Sequence, residues 1–598
     1  MKINIAVCMK YVPKITNNPI TDREQIYSEI NPSDMFAIEE AVRLQERYNI
    51  SKTIGICMGV ASAGNKLKQA LAMGLDEVYL LSDKRFSGAD TLATSYTLAK
   101  AINHISDFEL IICGKESTDG STGQVTQEIA SRLDYPCLTN VVSINELSND
   151  YIVCTVLSET GYQVIKSSIP VVISVLKGIN EPRTPTVNNL LNVQKKSINL
   201  LNADNLNIDE NLCGSKGSLT KVLKVYKNDS LLRQTKYISC DYLNVVDKLV
   251  SESKNEFQSQ DLQYTINPAL KTKGIPNEIW VVCQVNQREI TKHSYQILTK
   301  ASELLSCGYI LCAVVLEEIC EDSLEKLSYY GIEKVYYCSD YKSNVIFDEN
   351  QVEALTNMCE KYCPNSVLFV STIWGRWIAP AVAAKQGSGL TADCIDLRID
   401  NTSGVLTQVR SVFGGGSFAD IISCSVRPQM ATIRVNVFND RARFNKHNYE
   451  IIKYRCEESD NPRIKFVKTL YTGFEFPHLI DAEIVICGGR GVGGKDKYKA
   501  LFDLAELIGG YVGATRYAVD AGWIDYSHQI GQTGVSVRPK LYIGVGVSGA
   551  SEHLVGIRDS DCIVCINSDA NAPIVKCSDY AIIGDCNAVI NNLIEHFK

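Results

Sequence analysis

The chain has 598 residues and a net charge of −8, with 45% hydrophobic, 21% charged and 8% aromatic residues. At roughly 150 residues per domain it divides into about three to five units, too long for one hydrophobic core. It has no basic block to track a phosphate backbone, which excludes nucleic acid as the main partner, and no apolar run reaches the about 18 residues that cross a bilayer.

The start, MKINIAVCMKYVPK, has no long apolar stretch before a small-residue cleavage site and reads as a first strand. The 22 cysteines are scattered, and many sit inside apolar runs, as do Cys57, Cys113, Cys283 and Cys487. That is how a small buried hydrophobe is used in a reducing compartment, so a cytoplasmic setting is expected. Cys562 and Cys565 make the one close C-x-x-C, but they lie in a strand-like run, where residues three apart point to opposite faces. Cys359 and Cys363 fall on a helix-like stretch with no second pair nearby, and no metal site is expected.

In chain order, the strand-like runs INIAVCMKYV, KTIGICMG, EVYLLS and FELIICG alternate with helical DMFAIEEAVRLQERY and AGNKLKQALAMG. Such alternation predicts a parallel sheet with helices on both faces. The pattern fades near residue 195. Residues 200–275 are polar and poor in strands, and SESKNEFQSQDLQYTINPALKTKGIPN reads as a linker. It restarts near residue 277 with EIWVVCQV, YILCAVVLE, KVYYCS and SVLFVST. After MATIRVNVF and a charged stretch, a third α/β unit opens at AEIVICGGRGVGG. A weak internal repeat links the first two units. Gln127 to Leu133, followed by Leu138-Thr139, aligns with Pro380 to Gln386, followed by Leu390-Thr391, each after a strand and a glycine-containing loop.

Two G-x-G-x-x-G matches lie in the third unit, each between a strand and a helix: Gly489-Arg490-Gly491-Val492-Gly493-Gly494 and Gly544-Val545-Gly546-Val547-Ser548-Gly549. Glycines let backbone approach a pyrophosphate, and a following helix N-terminus offers free N–H groups. One match is weak evidence, and two in one unit point to a dinucleotide. Thr515 and Arg516, the loop Gln529-Ile530-Gly531-Gln532-Thr533-Gly534, and His553 suit a flavin better than NAD, because a flavin ring gains negative charge near N1 and O2 on reduction. The plainer readings are an internally satisfied histidine for His553 and a surface ion pair for Arg516.

Longer stretches now carry a resemblance. GATRYAVDAGW, QIGQTGVSVRPKLYIGVGVSGASEHLVGI and CINSDANAPIVKCSDYAIIGD resemble the FAD-binding domain of the electron-transfer flavoprotein α subunit. GRWIAPAVAAKQGSGLTADCIDL resembles that subunit's N-terminal domain. INPSDMFAIEEAVRLQERY, ALAMGLDEVYLLSD and GINEPRTP resemble the β subunit, so the order here is β then α in one chain. The resemblance implies an α/β fold: two related Rossmann-like domains plus a C-terminal doubly wound FAD-binding domain. The corresponding organisation is a β-like domain over 1–200, its arm over 201–260, a linker over 261–276, an α-like domain over 277–470 and the FAD domain over 471–598.

The resemblance further implies that Arg490, Gly491, Thr515 and Arg516 meet the pyrophosphate and ring. Gln529, Ile530, Gly531, Gln532 and Thr533 are implied to line the ring. Ser548, Gly549, Ala550, Ser551, Glu552 and His553 are implied to bind phosphate and the O2 edge, and Asn567, Asp585 and Cys586 to hold the adenosine part. The family carries Ile-Gln where this chain has Ser551-Glu552. Glu552 then either raises the basicity of His553 or points into solvent.

A second nucleotide, AMP or a second FAD, is implied at Cys8, Asn31, Asp34, Met58, Gly114, Asp119, Gly120, Thr122, Gly123, Gln124 and Val125. Asp119-Gly120 and Thr122 to Val125 look like the electron-bifurcating members, which hold two FADs. Pro13-Lys14-Ile15 and Ser121 depart from that pattern and leave AMP open.

The expected function is electron transport through FAD, from an acyl-CoA dehydrogenase-like flavoprotein of fatty acid β-oxidation, or from NADH through a second flavin, to ferredoxin or a quinone reductase. Whether the protein is itself an enzyme stays open. Segments near 437–478 and 200–260 are expected to act as hinges, and the loop Arg183 to Asn188, with apolar Val187, to dock a partner. The rivals are an NAD-dependent dehydrogenase, which lacks a clear acid–base pair because its seven histidines are dispersed, and a nucleotide-binding module without redox chemistry.

Overall fold

A computed structural model describes residues 3–13, 28–48, 50–159, 161–227, 233–239, 241–254, 277–307, 309–400, 405–412, 417–423, 426–442, 444–470, 479, 482–531 and 534–598. Three α/β sheets organise them. The strand order across the first is Asn199–Leu201, Glu77–Leu81, Lys52–Met58, Asn4–Met9, Leu110–Gly114, Val171–Val175, Cys137–Leu147, Tyr151–Ser158, Gly161–Ser168 and Ile464–Leu470. Across the second it is Glu450–Lys453, Ile332–Tyr337, Ile310–Val315, Glu278–Cys283, Ser366–Val370, Gln429–Ile433, Leu390–Ile399, Leu406–Val412, Ser417–Ile422 and Lys221–Lys227. The two orders match position for position, with parallel strands in the middle and an antiparallel extension at one end.

The matching final strands are exchanged. Lys221–Lys227 pairs antiparallel with Ser417–Ile422, and Ile464–Leu470 pairs antiparallel with Gly161–Ser168. The stretch 200–275, read as strand-poor, therefore does contribute strands. They were illegible because they complete the sheets of other units: Lys221–Lys227 joins the second sheet and Lys236–Ile238 the third. Most of the proposed linker lies outside the described residues.

The two repeated segments fall in equivalent helices, Val125–Leu133 and Ile373–Gln386, which pack against each other. The second follows its strand through Ser371 and Thr372, with Gly375 inside the helix, so the expected glycine-containing loop exists only in the first unit. Pro380 also sits inside this helix. Having no N–H, it leaves the Arg376 carbonyl four residues back without its helical donor. Gln127 Nε2 from the first unit donates to that carbonyl at 2.9 Å, and Ser131 Oγ donates to the Ala381 carbonyl at 3.0 Å. One buried cluster runs from Ile5 and Ile112 through Phe347 and Trp377 to Trp280, so the two units share a core.

The third sheet runs Lys236–Ile238, Tyr580–Ile583, Cys562–Asn567, Leu541–Val545, Ile484–Gly488 and Tyr511–Ala514, all parallel. Its central runs IVICG and LYIGV are buried throughout, as strands covered on both faces must be. Cys562 and Cys565 join apolar clusters on opposite faces of their strand, as the two-residue period requires. The arm from the first half docks here. Arg233 donates to the Ser560 carbonyl at 2.6 Å and the Arg558 carbonyl at 3.1 Å, and pairs with Asp579, while Val246 and Val250 of helix Tyr242–Ser253 enter the core. No helix among the described residues is long and apolar enough to cross a membrane.

Candidate functional site

Ile484–Gly488 is the first strand of the third unit itself, and the unit's next strands lie on either side of it, Tyr511–Ala514 on one and Leu541–Val545 on the other. Crevices at such switch points, beyond the carboxyl ends of the strands, are where doubly wound sheets bind ligands. Both glycine loops leave from this point, after Ile484–Gly488 and Leu541–Val545. Thr515 and Arg516 follow Tyr511–Ala514, Ser548 and Gly549 end the second glycine loop, Asn567 ends its strand, and Asp585 and Cys586 follow Tyr580–Ile583. The fold thus brings these sequence-selected residues to one end of one sheet. Gln532 and Thr533 lie outside the described residues.

The glycines do two jobs, and only one resembles ligand binding. Gly491 N–H donates to the Gly546 carbonyl at 2.9 Å, and Gly489 N–H to the Val545 carbonyl at 2.9 Å. A Cβ on Gly489 would stand 2.4 Å from Gly546 O, and one on Gly546 2.7 Å from Gly491 Cα. These glycines let the two loops pack against each other. At Gly494, with φ +158°, no atom lies within 4 Å of an added Cβ, so that part of the loop is open to a ligand.

The polar residues also divide. Arg490 is exposed, with its guanidinium 5.4 Å from the Tyr517 ring centroid. Arg516 is exposed and pairs with Asp520 at 3.3 Å, and Asp520 also meets Lys177 of the first unit. The Thr515 hydroxyl is buried without a hydrogen-bond partner. Ser548, Ala550, Ser551 and Glu552 are exposed. One Asp585 carboxylate oxygen caps the last helix by accepting from Ala588 N–H at 2.9 Å.

Three expected contacts are instead structural here. Asn567 Nδ2 donates to the Val547 carbonyl at 2.7 Å, and its Oδ1 accepts from Asp569 N–H at 3.0 Å, so it shapes the loop. The Cys586 thiol donates to the Ile566 carbonyl at 3.4 Å. His553 is buried, with Nδ1 3.0 Å from the Ile530 carbonyl and Nε2 2.7 Å from the Tyr542 hydroxyl. Because the carbonyl can only accept, Nδ1 carries the proton and Tyr542 donates to Nε2. Burial pushes His553 down to about 4, so it is neutral at pH 7. Glu552 does not raise its basicity; its carboxylate is exposed and accepts from Ser551 Oγ at 3.2 Å.

In the first unit, strand Leu110–Gly114 reaches helix Val125–Leu133 through a ten-residue loop. Asn31 donates to Asp34 Oδ1 and to the Glu116 carbonyl, each at 3.0 Å, and accepts from Thr118 N–H at 3.1 Å. Asp34 also accepts from Lys10 N–H at 2.7 Å. Both residues brace the loop. Burial raises Asp34 to about 7. A Cβ on Gly114 would stand 2.4 Å from Asp34 Oδ1, so this glycine serves the same packing. Cys8 is buried beside Cys113, whose hydrogen bond, with burial, holds its thiol well above the usual range. Gln124 is buried and accepts from Thr91 Oγ1 at 3.0 Å, while Met58, Thr122 and Val125 are half-buried. Asp119 pairs with Lys10 at 2.7 Å. Gly120 differs from Gly114: the nearest atom to an added Cβ is Ser117 Oγ at 3.4 Å, so the fold does not require glycine there.

A cavity of about 1070 Å³ opens where the three units meet, and its wall includes Asp119, Gly120 and Gly123 of the first unit and Gln529 and Gly534 of the third. Sequence reading missed Arg376, Asp393, Arg410 and Arg434 on its second-unit side. Asp393, Arg410 and Arg434 lie in or just after buried strands and Arg376 lies in the helix Ile373–Gln386; in each a charge breaks an apolar pattern, and that break was the available signal.

The fold and these crevices define a nucleotide-binding protein built from two like α/β units and one doubly wound unit. The electron transfer flavoprotein domain model matches residues 20–206 and again 279–455, and the electron transfer flavoprotein FAD-binding domain model matches 478–558. The electron transfer flavoprotein subunit alpha of Thermoanaerobacterium thermosaccharolyticum is 37% identical over 323 residues, 54% of this chain and 98% of the relative. That of Megasphaera elsdenii is 35% identical over 324 residues, 54% and 96%. The acryloyl-CoA reductase electron transfer subunit beta of Anaerotignum propionicum is 30% identical over 352 residues, 54% and 95%. The chain belongs to the electron transfer flavoprotein family.

Proposed function

We propose that the third unit holds FAD through which the chain passes electrons between flavoproteins, and that the first unit holds a second nucleotide. When bound, FAD supplies reversible one- and two-electron chemistry. The observation that carries the reading is the crest of the third sheet: two interlocked glycine loops, an open Gly494, exposed Arg490 and Arg516, and a buried Thr515 hydroxyl with no partner. A buried hydroxyl left unsatisfied costs about 1–3 kcal/mol, which a bound polar group relieves. Arg490, Arg516 and the Ser548-Gly549 turn hold phosphate and ring, and the remaining Asp585 lone pairs serve the adenosine ribose. His553 acts through the Ile530 carbonyl, fixing the loop that begins at Gln529.

For the second nucleotide, FAD is favoured over AMP. Gly120 is free of any steric need, and it borders the same cavity as Gln529 and Gly534. The partner is a flavoprotein acting on acyl-CoA-type substrates, as donor when it is a dehydrogenase and as acceptor when it is a reductase; the relative named for acryloyl-CoA reductase supports such a partner. NADH-driven bifurcation follows if two flavins are present. Docking uses helix Val187–Gln194, whose Val187 is 72% exposed and Leu191 63%. Arg183 is held by Glu39 and Glu46 at 2.8 and 2.6 Å and fixes the loop before the helix.

The test is to denature purified protein and count released nucleotides. Two FADs per chain are expected, falling to one in Gly120→Asp. Arg516→Ala with Asn567→Ala lowers the third-unit FAD. A colourless protein overturns the reading, and one FAD with one AMP after incubation with excess FAD overturns the two-flavin form.

A further inference from the structure

Helix Val125–Leu133, which follows the proposed nucleotide loop, holds a buried acid with no role so far. Glu128, in its first turn, is 1% exposed. Thr91 Oγ1, at the start of helix Thr91–Ile105, lies 2.8 Å from Glu128 Oε1 and 3.0 Å from Gln124 Oε1. Gln124 Nε2 lies 3.5 Å from the Leu390 carbonyl of the second unit. A carbonyl can only accept, so Nε2 faces Leu390 and the amide oxygen faces Thr91. The Thr91 hydroxyl has one proton and meets two oxygens. The Gln124 oxygen has no proton to give, so Thr91 donates to it, and the contact with Glu128 is completed by a proton on Glu128 itself. The other oxygen, Oε2, is buried with no partner among the described residues. As the carbonyl oxygen of a neutral acid it costs less there than as half of a carboxylate.

The charged groups around Glu128 are engaged elsewhere. Arg132, one turn on, donates from Nε to Ser95 Oγ and from Nη2 to the Leu92 carbonyl, each at 3.0 Å, and its guanidinium lies 5.5 Å from the Tyr96 ring centroid. The Asp90 carboxylate accepts from the N–H groups of Ala93, Leu219 and Thr220. Helix Ile373–Gln386 packs on the other side with Arg376 and Lys385, which pair with Asp393 and Glu353, and Arg376 also lies 4.0 Å from Glu116 of the loop. Strand Cys137–Leu147 adds Cys137 and Glu146, and Val171–Val175 adds no ionisable group. Burial raises Glu128 to about 8; the Thr91 contact lowers it, Asp90 raises it and Arg132 lowers it.

We propose that a proton on Glu128 keeps the first unit's loop ready for a nucleotide phosphate, acting through Thr91 and Gln124, which makes Glu128 a positioning residue. This rests on the reading that the first unit holds a nucleotide. Gln124 is the N-cap of its helix, yet its side chain makes no capping hydrogen bond. With its amide oxygen held by Thr91, the first-turn N–H groups stay free for an anion. When Glu128 loses its proton to solvent, the Thr91 hydroxyl turns to the carboxylate. Gln124 is then free to compete for those N–H groups, and a negative charge enters the turn that receives the phosphate. Binding therefore favours the protonated acid and draws in a proton at alkaline pH.

The test uses the full chain with its first-unit nucleotide removed, and the probe is AMP, the half that AMP and FAD share. Its affinity is measured by equilibrium dialysis from pH 7 to 9, a range in which its phosphate, with a last pKa of about 6, no longer titrates. Wild type should weaken about tenfold across the range. Glu128→Gln keeps a donor for Thr91 without a charge and should lose little. Asp34, at about 7, is present in both proteins and cancels in the comparison. Thr91→Val breaks the link and should bind AMP more weakly than wild type at pH 7, which keeps the idea testable if Glu128→Gln does not fold. The infrared difference between wild type and Glu128→Gln at pH 7 should contain the C=O stretch of a protonated carboxyl. Equal weakening in wild type and Glu128→Gln overturns the proposal, as does a difference spectrum without that band, or Thr91→Val binding AMP like wild type at pH 7. Wild type that binds no AMP at pH 7 refutes the first-unit nucleotide reading instead, and the infrared band still reports the proton on Glu128.

Discussion

The Trp374 backbone N–H donates to Glu159 Oε1 at 2.9 Å, joining a hairpin of the first unit to the first turn of a helix in the second. Gln284 Nε2 donates to the same oxygen at 3.3 Å, and Gln284 Oε1 accepts from Thr372 Oγ1 at 3.0 Å. Helix Ile373–Gln386 is the counterpart of Val125–Leu133, whose N-terminus follows the proposed nucleotide loop. In the second unit that loop is reduced to Ser371-Thr372, and a carboxyl group from the other unit supplies the acceptor that a phosphate would provide. On the proposed reading, this is a physical reason for the first unit and not the second to take a nucleotide. Glu159→Ala is expected to lower stability by about 1–3 kcal/mol, since it leaves the Trp374 N–H and the Gln284 amide short of an acceptor. An unchanged urea midpoint would show the contact to be incidental.

Gln127 completes a helix it does not belong to, through the Arg376 carbonyl that Pro380 leaves open. Gln127→Ala should cost about 1–3 kcal/mol. Combining it with Pro380→Ala, which restores the helical donor, should recover part of the loss. If the double variant is no more stable than the sum of the singles, the coupling is absent.

Asp34 gives a pH signature of defined sign. Its carboxyl sits at about 7 in the fold against 3.8 for the free group, because of burial. Between those values the folded chain holds a proton that the unfolded chain has lost, so this group's contribution falls as pH rises from about 4 to 7. Asp34→Asn cannot titrate. The stability of wild type minus that of the variant should decrease across this window and level off above it. A constant difference from pH 4 to 8 would falsify the assignment.

His553 acts in the opposite direction. It sits at about 4 in the fold against 6.5 for the free group, again because of burial. Acidification from 6.5 to 4 protonates the unfolded chain first and draws the equilibrium towards it, so stability is lost over that range. The His553 ring should show no titration between pH 5 and 8 by NMR. Tyr542→Phe, which strips the donor from Nε2, should destabilise by about 1–3 kcal/mol. A ring titrating near 6.5 in wild type would mean that it faces solvent.

Arg233 ties the arm to the third unit through carbonyls of Arg558 and Ser560 and the carboxylate of Asp579. Arg233→Ala should raise hydrogen exchange in Lys236–Ile238 and its partner strand Tyr580–Ile583, leaving the centre of the first sheet protected. Equal protection in both proteins would assign the anchoring to Val246 and Val250 alone.

The alternation of apolar runs and amphipathic stretches determined the three α/β units by itself, because buried parallel strands and their covering helices have periods that a single sequence displays. The glycine loops likewise pointed to the switch point of the third sheet, since few other segments pair those glycines with a strand before and a helix after. Tertiary structure decided the rest. Val222 and Val225 look like any exposed alternation until Ser417–Ile422 pairs beside them, because a strand's partner lies outside its own sequence. Gly491 and Gly546 read as phosphate contacts, yet each clears room for the other's loop. His553 read as a flavin contact, yet Tyr542 and the Ile530 carbonyl take both its nitrogens. Arg410 breaks the apolar pattern of its strand, but the charge of a buried guanidinium has consequences only once folding has fixed how many carboxylates can reach it.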